Sequence, residues 1–390
     1  RGGRRASSAA SPASIACRLP QRRVLELRGQ HARKYLQDLV SHDVAALDAP
    51  HARLFAGMLN PKGRALFEVH VAANGTPGAG GATNSGEETF LLDCDGEQTS
   101  TLLKHCRMYN LRTRVAIADV SDRAGVWSVM PGAPDVTSSS FAGDGGSVAA
   151  AVAADEHARE VRTALGAATA DAAYLSVGAD PRAPAAFGTR AIVPSDIDVA
   201  SVLNVREASA GDTYERLRLV MGVPEGAEVF GTIPLEWSLD RINGVHFSKG
   251  CYLGQELTAR THHTGLVRKR VVPVVLRPLS AAPASPFSRV ADVLDAYGGP
   301  GATVFDDAMP WSAPLPCARL EAGTHLTLGD TGKRGGRMVA CSADFSLGLA
   351  LVRLEHLAKD APVDLVVEAP DGTKLRAIPM SPPWWEHDAQ

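Results

Sequence analysis

The residues best equipped for chemistry lie together in the run Lys249-Gly250-Cys251-Tyr252-Leu253-Gly254-Gln255-Glu256. It sets an amine, a thiol, an amide and a carboxylate side by side. The two glycines let the backbone turn tightly and come close to a ligand. A thiolate is the nucleophilic and metal-binding form of cysteine, and a neighbouring cation stabilises it; Lys249 is two residues from Cys251. Cys251 is the candidate functional thiol, as a cluster ligand, a redox thiol or a ligand contact. The plainer alternative is a small buried cysteine in a glycine-rich loop. Lys249, Gln255, Glu256 and Arg260 offer groups suited to a planar donor/acceptor ring. Glu256 and Arg260, at i,i+4, equally suit a surface ion pair on a short helix. Lys62 and Arg64, in Asn60-Pro61-Lys62-Gly63-Arg64, suit an anionic tail or a solvated hairpin tip.

Other chemistries find little support. His262-His263 has no third ligand at a usual spacing, so no resident metal is expected. Arg268-Lys269-Arg270 reads as a solvated strand edge. There is no phosphate-binding glycine loop and no Ser/His/Asp arrangement. A net charge of −3 argues against a global nucleic-acid binder. No run reaches the roughly 18 apolar residues of a membrane helix. Six cysteines in 390 residues, without a CxxC pair, suggest a reducing compartment and free thiols. The first 25 residues carry six arginines, four serines and no acid. That is the composition of a mitochondrial transit peptide, assigned here to 1–20.

The elements that must position these groups follow from periodicity. Val24 to Leu27 reads as a strand ending at Gly29. Ala32, Tyr35, Leu36, Leu39 and Val40 recur at helical spacing. Leu54–Leu59 and Ala65–Ala72 read as strands flanking the Asn60–Arg64 turn, and Phe90–Cys94 as another. A helix is expected over 99–109, a strand over Thr113–Ala118 and a short helix over His157–Leu165. Asp212–Met221 reads as a helix with an Asp212/Glu215 capping pair, ended by Gly222 and Pro224. Glycine-, serine- and proline-rich inserts are read at 74–88, 131–150 and 278–318. From Val271 onward, short apolar runs recur at the spacing of a small β-barrel.

The run KGCYLGQE, followed by Thr258-Ala259-Arg260-Thr261-His262-His263-Thr264-Gly265, resembles the signature of the YgfZ family, distant relatives of the glycine-cleavage T-protein. Asn60–Arg64 is similar to that family's early loop. Leu25–Asp43, Lys104–Asp119 and Tyr214–Gly226 are similar to its helix and strand stretches. The family usually has Asn-Leu-Asp before the signature, where this chain has Ser238-Leu239-Asp240. The resemblance implies an α+β fold, with T-protein-like split β-α-β domains around a central cavity over 21–270. It also implies a small C-terminal β-barrel over 271–380. It points to the eukaryotic, mitochondrial branch that assists maturation of four-iron clusters in the matrix. Tetrahydrofolate is the implied ligand, with Lys249, Gln255, Glu256, Arg260, Lys62 and Arg64 as its candidate contacts. The implied partners are iron–sulfur assembly proteins and client apo-proteins. The rival reading is a folate-dependent aminomethyltransferase, which would need a positioned aspartate base; Asp93 and Asp95 sit at a strand end where one would fit.

Overall fold

The computed structural model describes residues 14–74, 86–134, 136, 148–169, 174–265, 267–280, 289–298, 302–315, 320–342, 344–357 and 364–382. The 74–88 and 131–150 inserts fall largely outside these residues, as does Cys317, whereas most of 278–318 lies within them and carries helix Val290–Gly298, with Val293, Val304 and Trp311 buried in the main core. The fold class is α+β with a closed barrel, as expected from the sequence.

The first five-stranded sheet runs in the order Arg53–Leu59, Ala65–Ala73, Glu88–Asp95, Arg22–Gly29, Ala116–Asp119, with all neighbours antiparallel. Alternation sends Leu25, Leu27, Leu54, Phe67, Val69, Val71 and Leu92 to one face. Helices Ala32–Leu39 and Thr99–Tyr109 cover that face with Tyr35, Leu36, Leu39, Leu102 and Cys106. The opposite face carries Arg22, Arg53, Phe55, Glu68, His70 and Asp93, all buried.

The second sheet runs Arg206–Glu207, Ile15–Arg18, Ala124–Met130, Thr189–Pro194, Ser176–Ala179. Helix Val148–Ala168, longer than the His157–Leu165 helix expected, packs Val161 and Leu165 against Trp127, Val177, Ala191 and Val193. Ile15–Arg18 pairs antiparallel with 127–130 and parallel with Arg206–Glu207. These four residues, read as leader, are therefore part of the folded body. Arginine-rich composition masked a strand whose Ala16 and Cys17 are fully buried.

The barrel closes in the order Lys269–Pro278, Leu347–Arg353, Arg334–Cys341, His325–Leu328, Leu365–Glu368, Lys374–Pro379. Val272, Val274, Met338, Ala350, Val352, Leu365 and Leu375 fill its interior. The helix expected over Asp212–Met221 begins instead with a π-turn, Ala210–Tyr214, and becomes α-helical over Glu215–Val220. Asp212 pairs with Arg216 at 2.9 Å rather than capping, and the capping box forms at Glu225 and Glu228. Arg270, read as part of a solvated edge, is buried; its guanidinium grips Asp240 through two bonds of 2.9 and 3.0 Å.

Candidate functional site: an exposed thiol on a glycine-locked loop

The Asn60–Arg64 tip is built by its own asparagine. The Asn60 side-chain oxygen accepts from the Lys62 and Arg64 amides at 2.9 and 3.1 Å. The Gly63 amide donates to the Asn60 carbonyl at 2.8 Å. This closes the turn and leaves Lys62 and Arg64 exposed.

The signature loop packs on that tip, backbone to backbone. Gly63 and Gly254 both hold positive φ, 75° and 77°. A Cβ on Gly63 would stand 2.8 Å from the Gly254 carbonyl oxygen, and one on Gly254 would overlap the Asn60 carbonyl oxygen. Only glycine at both positions allows this approach. The fold thus joins two motifs about 190 positions apart in the chain.

Lys249 anchors the other end of the loop. Its ammonium donates to the carbonyls of Gln37, Val40 and His42 at 2.7, 2.6 and 2.9 Å. These are carbonyls at and beyond the C-terminus of helix Ala32–Leu39, where a cation is favoured. Burial draws the Lys249 pKa down to about 8, against the pull of Asp43 and Asp38. The Leu253 amide donates to the Asp38 carbonyl at 2.9 Å. Gln255 opens helix Gln255–Thr264, and its side-chain oxygen accepts from the Tyr252 amide at 3.1 Å. Lys249 and Gln255 are therefore engaged in holding the loop. Glu256 and Arg260 are exposed, and no ion pair joins them.

Cys251 lies exposed between these anchors. The other described cysteines, Cys17, Cys94, Cys106 and Cys341, are buried. Burial pushes Cys17 up to about 12 and Cys106 up to about 11, which makes them poor thiolate sources. Phe247, itself partly exposed, stacks on His262 with ring centroids 3.6 Å apart. Among the described residues no three His, Cys, Asp or Glu side chains gather closely enough to hold a metal ion.

A second polar constellation lies inside, where the first sheet's charged face meets residues 180–190 and 214–225. Arg22 binds Glu68 and, at 2.6 Å, Asp93. Arg190 binds the other Asp93 oxygen at 2.5 Å. Arg182 binds Asp180 at 2.8 Å and also Glu225. The Tyr214 hydroxyl donates to Glu225 at 2.6 Å and accepts from Arg182 and Arg190, each at 2.8 Å. Burial raises the Asp93 pKa, but Arg190 and Arg22 outweigh it and hold the group below the ordinary range. Glu225 is likewise pushed up by burial and pulled further down by Arg182, Arg22 and Arg190. Of this set, sequence reasoning singled out Asp93, as a candidate base, and Tyr214, as the start of the Tyr214–Gly226 stretch.

Beside this network several buried nitrogens lack partners among the described residues: Arg53 Nε and Nη2, both ring nitrogens of His70, Arg190 Nη2 and Trp237 Nε1. Two of these groups flank Phe55, whose ring lies 4.9 Å from His70 and 6.2 Å from Trp237. Burial, together with Arg190, Arg182, Arg22 and Arg53, keeps His70 neutral. Arg53 is drawn down to about 10 by burial.

Fold and site together define a class. The glycine-cleavage aminomethyltransferase T of Bartonella henselae superposes on 96% of the chain, covering 86% of its own length, with a TM-score of 0.57 at 13% identity. At that identity the likeness speaks for the fold. Residues 268–387 match the model of the CAF17 C-terminal beta-barrel domain. The chain is thus a T-protein fold with a CAF17-type barrel. It is 32% identical over 421 residues to the "Iron-sulfur cluster assembly factor IBA57 homolog, mitochondrial" of Mycosarcoma maydis, covering 99% of this chain and 89% of the relative. The human "Iron-sulfur cluster assembly factor IBA57, mitochondrial" is 35% identical over 297 residues, 73% of each chain. The chain belongs to the IBA57 family.

Proposed function

We propose that the chain is a mitochondrial iron–sulfur cluster assembly factor, acting in the matrix on four-iron client proteins. The names of its fungal and human relatives support the assembly role and the compartment. The observation that carries the reading is the exposed Cys251, held between the Lys249 anchor and the Gly63–Gly254 contact while the other described thiols are buried. An iron–sulfur cluster normally takes four ligands. One thiol on a rigid loop therefore contributes a single ligand, or a redox contact, beside groups supplied by an assembly partner or apo-client. The cluster is cargo here and not a resident group.

We place the end of any leader before Ile15, because removal of 1–20 would take strand Ile15–Arg18 out of the second sheet. We take the remainder to 270 as the T-protein-like region and 271–380 as the barrel domain.

Tetrahydrofolate is the second part of the proposal. The partnerless donors of Arg53, Arg190 and Trp237, with neutral His70, fit a planar ring rich in acceptors. Buried donors of this kind cost free energy until an acceptor meets them. Lys249 and Gln255 act on such a ligand indirectly, by fixing the loop. Lys62, Arg64 and Arg260 carry exposed positive charges suited to its anionic tail, and the exposed carboxylate of Glu256 suits its ring N–H donors. The aminomethyltransferase reading is the weaker one, because Asp93 is clamped between Arg22 and Arg190 and held ionised, so it is a poor proton acceptor.

The role is tested by the cluster content of matrix four-iron enzymes such as aconitase after loss of the protein. Reduced occupancy is expected, and normal occupancy would refute it. Calorimetry with tetrahydrofolate tests the ligand. Binding that weakens in Arg53→Met is expected, and no heat at millimolar ligand would remove the folate part.

A further inference from the structure

Five cations from four elements meet along the seam between the hairpin tip and the barrel. Lys62 and Arg64 are exposed on the tip. Arg260 is exposed on helix Gln255–Thr264, three residues after Leu257, whose side chain packs on Gly63; residues three apart share a helix face. Lys269 and Arg337 lie on the outer wall of the barrel. Their strand neighbours Val271, Val339 and Leu351 pack into the main core, while Val272, Met338 and Ala350 point into the barrel. Two contacts bring these elements to one seam. The Ala65 amide donates to the Thr232 carbonyl at 2.9 Å, and Arg270 donates to the Leu235 carbonyl at 2.9 Å. Burial raises the pKa of half-buried Glu236, on the short helix Pro234–Trp237, and the nearby charges of Lys269, Arg64 and Arg337 work against it.

None of the five cations forms an ion pair among the described residues, although the chain as a whole carries −3. Acids close to Lys269 along the chain and across the strand are engaged elsewhere, Asp240 by Arg270 and Glu355 by Arg353. Positive charge is thus segregated locally on a molecule that is acidic overall, which is how a surface steers an acidic partner. Phe230, 58% exposed, sits beside Arg64, because the Gly231 amide donates to the Ala65 carbonyl at 2.8 Å. An exposed aromatic next to arginines is the composition of a protein interface core. A nucleic acid is disfavoured by the overall negative charge and by the small number of cations.

We propose that this seam docks an acidic segment of a protein partner, with Lys62, Arg64, Arg260, Lys269 and Arg337 pairing its carboxylates and Phe230 covering an apolar residue of it. The proposal deepens the assembly reading by giving the partner a chemistry. The seam adjoins the loop that presents Cys251, so a partner held there would be close to the thiol.

The test is anisotropy titration of a labelled oligoglutamate peptide against the full chain at low and at physiological salt. Binding that weakens with salt is expected. Lys62→Glu with Arg260→Glu should lower the affinity about tenfold or more, and Lys62→Gln with Arg260→Gln should lower it less. Both positions are exposed, and an unchanged unfolding midpoint shows that the variants are folded. Absence of peptide binding, indifference to the charge reversal, or tighter binding of an RNA oligonucleotide than of the peptide would each overturn the proposal. The titration reads no cluster, so its failure leaves the assembly role standing, and that role fails by cluster content instead.

Discussion

The interior network around Asp93 and the surface loop around Cys251 use the same ingredients for opposite ends. In the interior, Arg22, Arg182 and Arg190 meet Glu68, Asp93, Asp180 and Glu225 at almost zero solvent exposure. Every acid there is tied to at least one arginine. On the surface, the charged groups of the signature split in two. Lys249 turns inward to cap a helix, while Cys251, Glu256 and Arg260 stay outside. Reactive side chains that are locked in pairs hold a fold, and those left exposed on a locked backbone can meet a partner. Chemical type alone does not separate the two cases. Asp93 sits at a strand end where a general base would fit, yet it is the restrained group.

Four substitutions and one titration break or sharpen this contrast, from the largest effect to the smallest. Asp93→Ala should cost about 3–5 kcal/mol in denaturant unfolding, because it leaves Arg22 and Arg190 buried without their shared carboxylate. A loss below about 1 kcal/mol would mean that water or rearranged acids replace it. Gly254→Ala should cost about 1–3 kcal/mol, since alanine must hold a left-handed φ against the Asn60 carbonyl. Lys249→Met should cost about 1–2 kcal/mol through the three carbonyls it leaves without a donor. For pH, Asp93 and Glu225 have folded pKa values below their unfolded ones. Their stabilisation is fully present above the unfolded carboxylate value of about 4 and is lost as pH falls through the depressed folded values. Acid unfolding should therefore steepen below about pH 4, and an Asp93→Asn chain should show a shallower acid limb. Glu256→Gln should change stability by less than about 0.5 kcal/mol, as an exposed group without an ion pair.

Much of the frame was legible in the sequence. The 3.6-residue spacing of Ala32, Tyr35, Leu36 and Leu39 marked their helix, and the apolar runs after Val271 marked the barrel strands. The KGCYLGQE loop and the Asn60–Arg64 tip were visible as motifs. Their contact was not, because it depends on two glycine backbones meeting from distant positions. The interior network was hidden for a related reason. Arg22 is 71 positions from Asp93 and 46 from Glu68, and Arg190 is 97 from Asp93. In each strand these charges alternate with apolar residues, a pattern that reads as a solvated face when the second layer cannot be seen. Strand Ile15–Arg18 was masked by its arginine-rich neighbours. Lys249 was misleading in a different way. A lysine beside a cysteine suggests activation of the thiol, whereas its ammonium reaches three carbonyls of another segment.

The most direct test of the central claim is the Cys251→Ala chain, expressed at equal level in cells lacking the protein, with four-iron cluster occupancy of aconitase as the readout. Cys251 is exposed, so the substitution should leave the unfolding midpoint unchanged while occupancy stays as low as without the protein. Full restoration of occupancy by the alanine chain would contradict the account.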